Sequence, residues 1–294
     1  ARPDWVKGSL DALIPRGSGV PAQGSPEADV SDKPNYIRSY PEFTERELEV
    51  LRDVSRQRAE ALRVLDAEVA RTLDALAAAG ESDRTLVVFT SDNGYYLGEH
   101  RKRQGKINLH EPSIRIPLVI SGPGVGKGSR FTPATVPDLG VTIAAQAGVD
   151  LDAPDGIDLL AKTTPEAWSR PVVIEGLMPE PQYLNGRDRG TQMPSLNTSG
   201  IRAGRWKFVR YSTGETELYD LLTDPLELTN LASAPQHSAR HEELQRLWEA
   251  YALCSGADCV GELPEELQLD SAENQALTLE QERATSAFFG WFSP

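Results

Sequence analysis

Between residues 48 and 76, leucines and valines return at steps of three and four: Leu48, Leu51, Val54, Leu62, Leu65, Val69, Leu73 and Leu76. That spacing predicts a long helix with one apolar stripe. Thr44 followed by Glu47 predicts its start, since each side chain can satisfy a free backbone N–H of the first turn. Gly80 supplies a stop, and the length suggests a kink near Ser55 or Arg58. The period then changes. Residues 85–90 form an uncharged run that predicts a strand in a sheet covered on both faces. A second strand of the same kind is expected over 114–120, a helix over 138–147 and a further strand over 171–175. Helix, strand, loop, strand and helix in this order make an α/β pattern.

From about residue 200 the pattern alternates. Gly204 to Tyr211, a turn at Ser212-Thr-Gly214 and a return over 217–221 predict an antiparallel hairpin with one wet face. Trp206, Phe208 and Tyr211 are expected to pack within it. Residues 237–252 read as an amphipathic helix, and the acidic tail from 262 as weakly patterned. Residues 1–41, with many Pro, Gly, Ser and Asp, read as an irregular surface segment. The expected division is 1–170 and 171–294.

With 294 residues the chain has material for one large or two modest domains. It holds no apolar run of 18 residues, so no transmembrane helix is expected. A net charge of −14 argues against sequence-independent nucleic-acid binding, which needs clustered positive charge. An anionic substrate is still possible where the site is locally basic. Cys254 and Cys259 read as a small disulfide loop of an exported protein, with a pair of reduced thiols as the alternative.

Candidate chemistry begins at Asp92-Asn93-Gly94, where the 85–90 run ends. Asn-Gly between apolar runs is also a hairpin signal. Against a hairpin, the following Tyr95-Tyr-Leu-Gly-Glu-His100 is broken by glycine and charge. In open α/β sheets ligands sit beyond the carboxyl ends of strands, and a carboxylate beside an amide offers the oxygens that hard divalent cations take. Lys106 falls in a local cluster with Arg101, Lys102 and Arg103; it reads either as a solvated lysine or as a point charge for a sulfate or phosphate oxygen. His100 and His110 read as structural or exposed. Gly122-Pro-Gly124 and Gly126-Lys-Gly128 lack P-loop spacing and read as a turn.

Taken in order, Thr90-Ser-Asp-Asn-Gly94, Gly98-Glu-His100, Gly105-Lys106, Glu111 through Gly124, Val136-Pro-Asp-Leu139, Asp155-Gly156, Lys207, Leu218-Tyr-Asp-Leu221, Asp224-Pro225 and Asn230-Leu-Ala232 resemble the sulfatase family of the alkaline-phosphatase-like superfamily. Asp32 to Arg38 and the late cysteine pair look most like N-acetylglucosamine-6-sulfatases and related arylsulfatases. The resemblance implies a partial alkaline-phosphatase-like sheet with flanking helices, followed by a smaller carboxy-terminal α+β subdomain with an antiparallel sheet. It implies a calcium-dependent sulfuric ester hydrolase acting on a sulfated sugar or aryl ester, secreted or periplasmic. Asp92 and Asn93 match the family's later pair of Ca²⁺ ligands, and Lys106 the lysine that contacts sulfate.

The family's upstream Cys-x-Pro-Ser-Arg motif, whose cysteine becomes the formylglycine nucleophile, does not occur in this chain. Neither do its early acidic metal ligands and its Lys-x-His motif. The expectation is therefore a carboxy-terminal portion, inactive alone, whose partner is the missing amino-terminal half. The alternatives are a phosphodiesterase or phosphonate hydrolase of the same superfamily, and a non-catalytic remnant.

Overall fold

Thr44 and Glu47 make the reciprocal pair that their spacing predicts. The Glu47 backbone N–H donates to Thr44 Oγ1 at 3.3 Å, and the Thr44 N–H donates to Glu47 Oε2 at 2.8 Å. After a short helix α1 (Asn35–Arg38), helix α2 therefore starts at Glu45 and runs to Ala78. It runs its 34 residues as one helix, without the kink expected near Ser55, because no proline or glycine interrupts it. Its stripe is only partly used. Leu48 and Leu51 are buried against Phe43, whereas Leu62, Leu65 and Leu73 are exposed.

The computed structural model describes residues 2–14, 27–152, 154–162, 164, 166–176 and 197–289. The expected irregular 1–41 segment contains turns over 4–13 besides α1, and residues 15–26 of it lie outside the described residues.

Strand β1 (Val87–Thr90) pairs antiparallel with β2 (Leu118–Ser121), with Phe89 opposite Val119. The expectation of a strand covered on both faces is corrected here. Phe89 is 37% and Val119 57% exposed, so this face is only partly covered among the described residues. The second strand also begins later than expected, because Glu111–Ile114 forms a helical turn, α3, with Pro112 in its first turn. Helix α4 (Val136–Gln146) follows, with Thr135 and Asp138 as its capping box.

Four strands then form one antiparallel sheet in chain order: β3 (Val172–Gly176), β4 (Thr198–Ala203), β5 (Trp206–Tyr211) and β6 (Thr216–Asp220). Helix α5 (Ser238–Tyr251) covers one face, where Ile201, Phe208 and Leu218 pack with Leu244. Each such side chain contributes about 1.5–3 kcal/mol through removal from water. The opposite face was expected to be wet, and it is not. Val209 and Tyr211 pack on Leu109, and Lys207 and Glu217 beside them are fully buried. The polar alternation of this hairpin serves ion pairs inside the protein.

The tail after 262, expected to be weakly patterned, carries helix α6 (Ser271–Phe289). Asp270 caps it: the N–H groups of Ala272 and Glu273 donate to its Oδ1 at 2.9 Å, and Glu273 Oε2 accepts the Asp270 N–H at 3.0 Å. Cys254 and Cys259 are joined as a disulfide. No helix among the described residues is long and apolar enough to cross a membrane.

Candidate functional site

The uncharged β1 run ends where the chain must turn, and its next polar groups organise that turn. Ser91 Oγ donates to the Asn93 carbonyl at 2.8 Å, and Asn93 Nδ2 donates to the Gly94 carbonyl at 2.7 Å. This orients the Asn93 amide so that its Oδ1 accepts from Lys106 Nζ at 2.6 Å. Lys106 Nζ also lies 3.7 Å from Asp92 Oδ2. The structure thus brings together all three residues singled out in the sequence. Asp92 is mostly exposed and Lys106 half-exposed, so both are open to an incoming group.

Two further features hold this arrangement. Gly94 and Tyr95 donate their N–H groups to the carbonyls of Ser113 and Pro112, at 2.8 and 2.7 Å. A Cβ at residue 94 would lie 2.1 Å from the Pro112 carbonyl oxygen, so only glycine allows this approach. Behind Lys106, Ile107 takes a φ of 92°, a conformation costly for a β-branched residue. Its N–H donates to Ser113 Oγ at 3.2 Å.

The turn rests on a buried ionic group. Glu111 Oε1 accepts from Arg202 at 2.9 Å and from Lys207 at 3.0 Å, and its backbone N–H donates to Glu227 Oε2 at 2.6 Å. Lys207 also pairs with Glu227. Burial alone would raise the Glu111 carboxyl, but Lys207 and Arg202 outweigh it and hold its pKa low. Burial raises the pKa of Glu227, which shares the same lysine. From α6, Gln281 Nε2 donates to Glu111 Oε2 at 3.3 Å.

His100 and His110 are both buried, with their rings stacked at 3.9 Å. His100 Nδ1 lies 3.0 Å from Glu27, and His110 lies 2.9 Å from the Tyr96 hydroxyl and 3.2 Å from Glu217. Burial, with the neighbouring His100, pushes the His110 pKa down to about 3. These histidines join the 27–33 segment to the sheet; neither lines the cleft described next.

Asp92, Asn93 and Lys106 open into a cleft of about 780 Å³ that Arg115, Arg202 and Gln281 also line. Sequence reasoning had not assigned roles to Arg115, Ser113 or Gln281. Glu111 stood in a recognised stretch, but its charge partners are distant in sequence. Among the described residues, no group of three or more His, Cys, Asp or Glu side chains is arranged to hold a metal. The Asp92 carboxylate and Asn93 amide oxygen suit a hard cation by chemistry, yet they are two donors where calcium takes six to eight. Further donors would have to come from beyond these two residues.

A family model described as Sulfatase matches residues 25–149. An arylsulfatase of Volvox carteri is 30% identical over 281 residues, which is 85% of this chain and 42% of that protein. Among solved structures, one determined with its substrate D-glucosamine-2-N,6-O-disulfate aligns with a TM-score of 0.58 at 25% identity, covering 70% of this chain and 42% of the other. A phosphonate monoester hydrolase of Agrobacterium radiobacter aligns with a TM-score of 0.56 at 28% identity, covering 74% and 46%. The chain spans less than half the length of each of these proteins.

Proposed function

Because this chain belongs to the sulfatase family, we propose that it is the carboxy-terminal portion of a sulfuric ester hydrolase acting on a sulfated sugar or aryl ester. The observation that carries the reading is the convergence of the Lys106 ammonium on Asn93 and Asp92 at the mouth of β1. The solved neighbour bound to a disulfated glucosamine supports a sulfated amino sugar as the substrate class.

In this reading Asp92 and Asn93 hold Ca²⁺ through their side-chain oxygens, with the remaining ligands supplied by the missing amino-terminal half. When bound, the ion supplies positive charge that polarises the ester and stabilises its developing negative charge. Lys106, now bonded to Asn93 Oδ1, would meet a sulfate oxygen. Fixed cations of this kind act by electrostatic preorganisation. The formylglycine nucleophile also belongs to the upstream half. The short coverage of longer relatives and the Phe89–Val119 face, only partly covered among the described residues, support such a partner. The Cys254–Cys259 disulfide supports a secreted or periplasmic location.

The test is hydrolysis of an aryl sulfate by the protein as encoded with its upstream region, by residues 1–294 alone, and by the Lys106→Ala form of the whole. Turnover is expected from the whole protein only, and to fall by at least about a hundredfold on loss of Lys106. Equal turnover by wild type and Lys106→Ala would remove the reading. The phosphonate monoester hydrolase neighbour favours one second reading. Faster turnover of a phosphonate monoester than of the sulfate ester would select it.

A further inference from the structure

Asn93 and Lys106 belong to different turns, and both turns are fastened to one buried residue. Ser113, 4% exposed, uses two atoms for this. Its carbonyl accepts the Gly94 N–H at 2.8 Å, and its hydroxyl oxygen accepts the Ile107 N–H at 3.2 Å. One bond is made by the residue after Asn93 and the other by the residue after Lys106. We infer that Ser113 is the positioning residue of this site: it sets the separation between the lysine ammonium and the Asp92–Asn93 oxygens. The inference rests on the sulfatase reading of Lys106 and adds a residue to it.

Three observations make Ser113 more than a neighbour. Ile107 holds a φ of 92°, which a β-branched residue leaves unless a fixed partner holds its N–H. On the other side, the Ile107 carbonyl oxygen lies where a Cβ on Gly176 of β3 would come within 2.0 Å, so the sheet edge presses close to the same residue. The helical turn bearing Ser113 is itself anchored through Glu111 to Arg202, Lys207 and Gln281. The hydroxyl is thus a fixed point, tied to the carboxy-terminal sheet and to α6, against which the Lys106 turn is strained. Without it Ile107 relaxes toward negative φ and Lys106 leaves Asn93.

A labelling experiment on the protein as encoded with its upstream region reads this without any turnover. A small amine-reactive reagent is applied, and the rate at Lys106 is compared with those at exposed Lys127 and Lys162 in the same molecules. The wild type is expected to label at Lys106 more slowly than at the two reference lysines. Ser113→Ala is expected to raise the Lys106 rate about fivefold, equivalent to about 1 kcal/mol at 1.4 kcal/mol per tenfold. Ser113→Thr keeps the hydroxyl and is expected to retain the wild-type rate. Should the alanine form fail to fold, Ser113→Cys, a weak acceptor of similar size, replaces it against the threonine form.

In the whole enzyme a double-mutant cycle completes the test. Ser113→Ala lowers kcat/KM in the wild type and changes nothing further in Lys106→Ala, as two residues acting through one contact require. Unhindered labelling of wild-type Lys106 would mean that its contact with Asn93 is not held and would overturn the role of Ser113, while the sulfatase reading is decided separately by the turnover of Lys106→Ala. A protected Lys106 that Ser113→Ala leaves unchanged, or fully additive losses in the cycle, would overturn the role of Ser113 and leave the sulfatase reading standing.

Discussion

Lys106 Nζ donates to Asn93 Oδ1 at 2.6 Å while lying 3.7 Å from Asp92 Oδ2, so the amide is shared ground between an ammonium and any cation that the carboxylate attracts. Two roles on adjacent side chains should be separable. In the complete enzyme, Asp92→Ala or Asn93→Ala is expected to abolish calcium uptake in titration calorimetry together with turnover. Lys106→Met should reduce turnover by about a hundredfold or more and leave calcium uptake in place. Loss of calcium binding in Lys106→Met, or its retention in Asp92→Ala, would contradict this division.

Gly94 is fixed by contact with backbone. A methyl group there meets the Pro112 carbonyl oxygen at 2.1 Å and the Ser113 carbonyl carbon at 2.8 Å, and neither can rotate away. Gly94→Ala is expected to destabilise the chain by about 2–3 kcal/mol through overpacking and lost hydrogen bonds. Gly126→Ala, whose methyl group meets open space, should stay within about 0.5 kcal/mol of wild type. Urea denaturation of both variants checks the pair.

Lys207 is fully buried between Glu111 and Glu227. Lys207→Met fills similar volume but leaves two carboxylates facing each other with Arg202 as their remaining close cation. Removing one partner of a buried ion pair costs about 3–5 kcal/mol. Thermal unfolding should show a large drop for Lys207→Met. The double variant Lys207→Met/Glu227→Gln should recover part of it, since one stranded charge is gone.

His110 gives the fold a sensitivity to acid. Its folded pKa is pushed down to about 3, below the ordinary 6.5, by burial and then by His100. Above pH 6.5 both folded and unfolded forms hold it neutral, and its contribution is complete. As pH falls from 6.5 toward 3 the unfolded chain takes up a proton that the folded chain refuses, so stability is lost at about 1.4 kcal/mol per pH unit. Burial raises Glu99 to about 7, which acts in the opposite sense between about 4.5 and 7. The comparison is therefore with His110→Asn, which keeps Glu99 and cannot titrate. The stability gap between wild type and this variant should narrow from pH 8 to pH 5 in parallel urea titrations.

Local rules made much of this molecule legible. The Thr44–Glu47 pair and leucine spacing placed α2, and the alternation over 204–221 placed β5 and β6. The apolar run ending in Asp92-Asn93 located the turn that Lys106 reaches. What stayed hidden depended on partners far along the chain. Lys207 and Glu217 looked like the solvent side of a hairpin because the groups that pair with them, Glu111 and His110, lie about a hundred residues away. Phe89 and Val119 looked like core because apolar runs indicate burial without naming what covers them. Helix α6 was missed for want of a strong stripe, although its Asp270–Glu273 cap was present in the sequence.

That last helix is no loose appendage. Asn274 Nδ2 donates to the carbonyls of Phe131 and Glu166 at 2.6 and 3.1 Å, and Gln281 reaches Glu111. It works as a buttress clipped across the back of the cleft. Anyone trimming this protein for crystallisation should place the cut beyond residue 289, because shortening it further would unclip the bracket from Glu111 and the cleft that Gln281 lines.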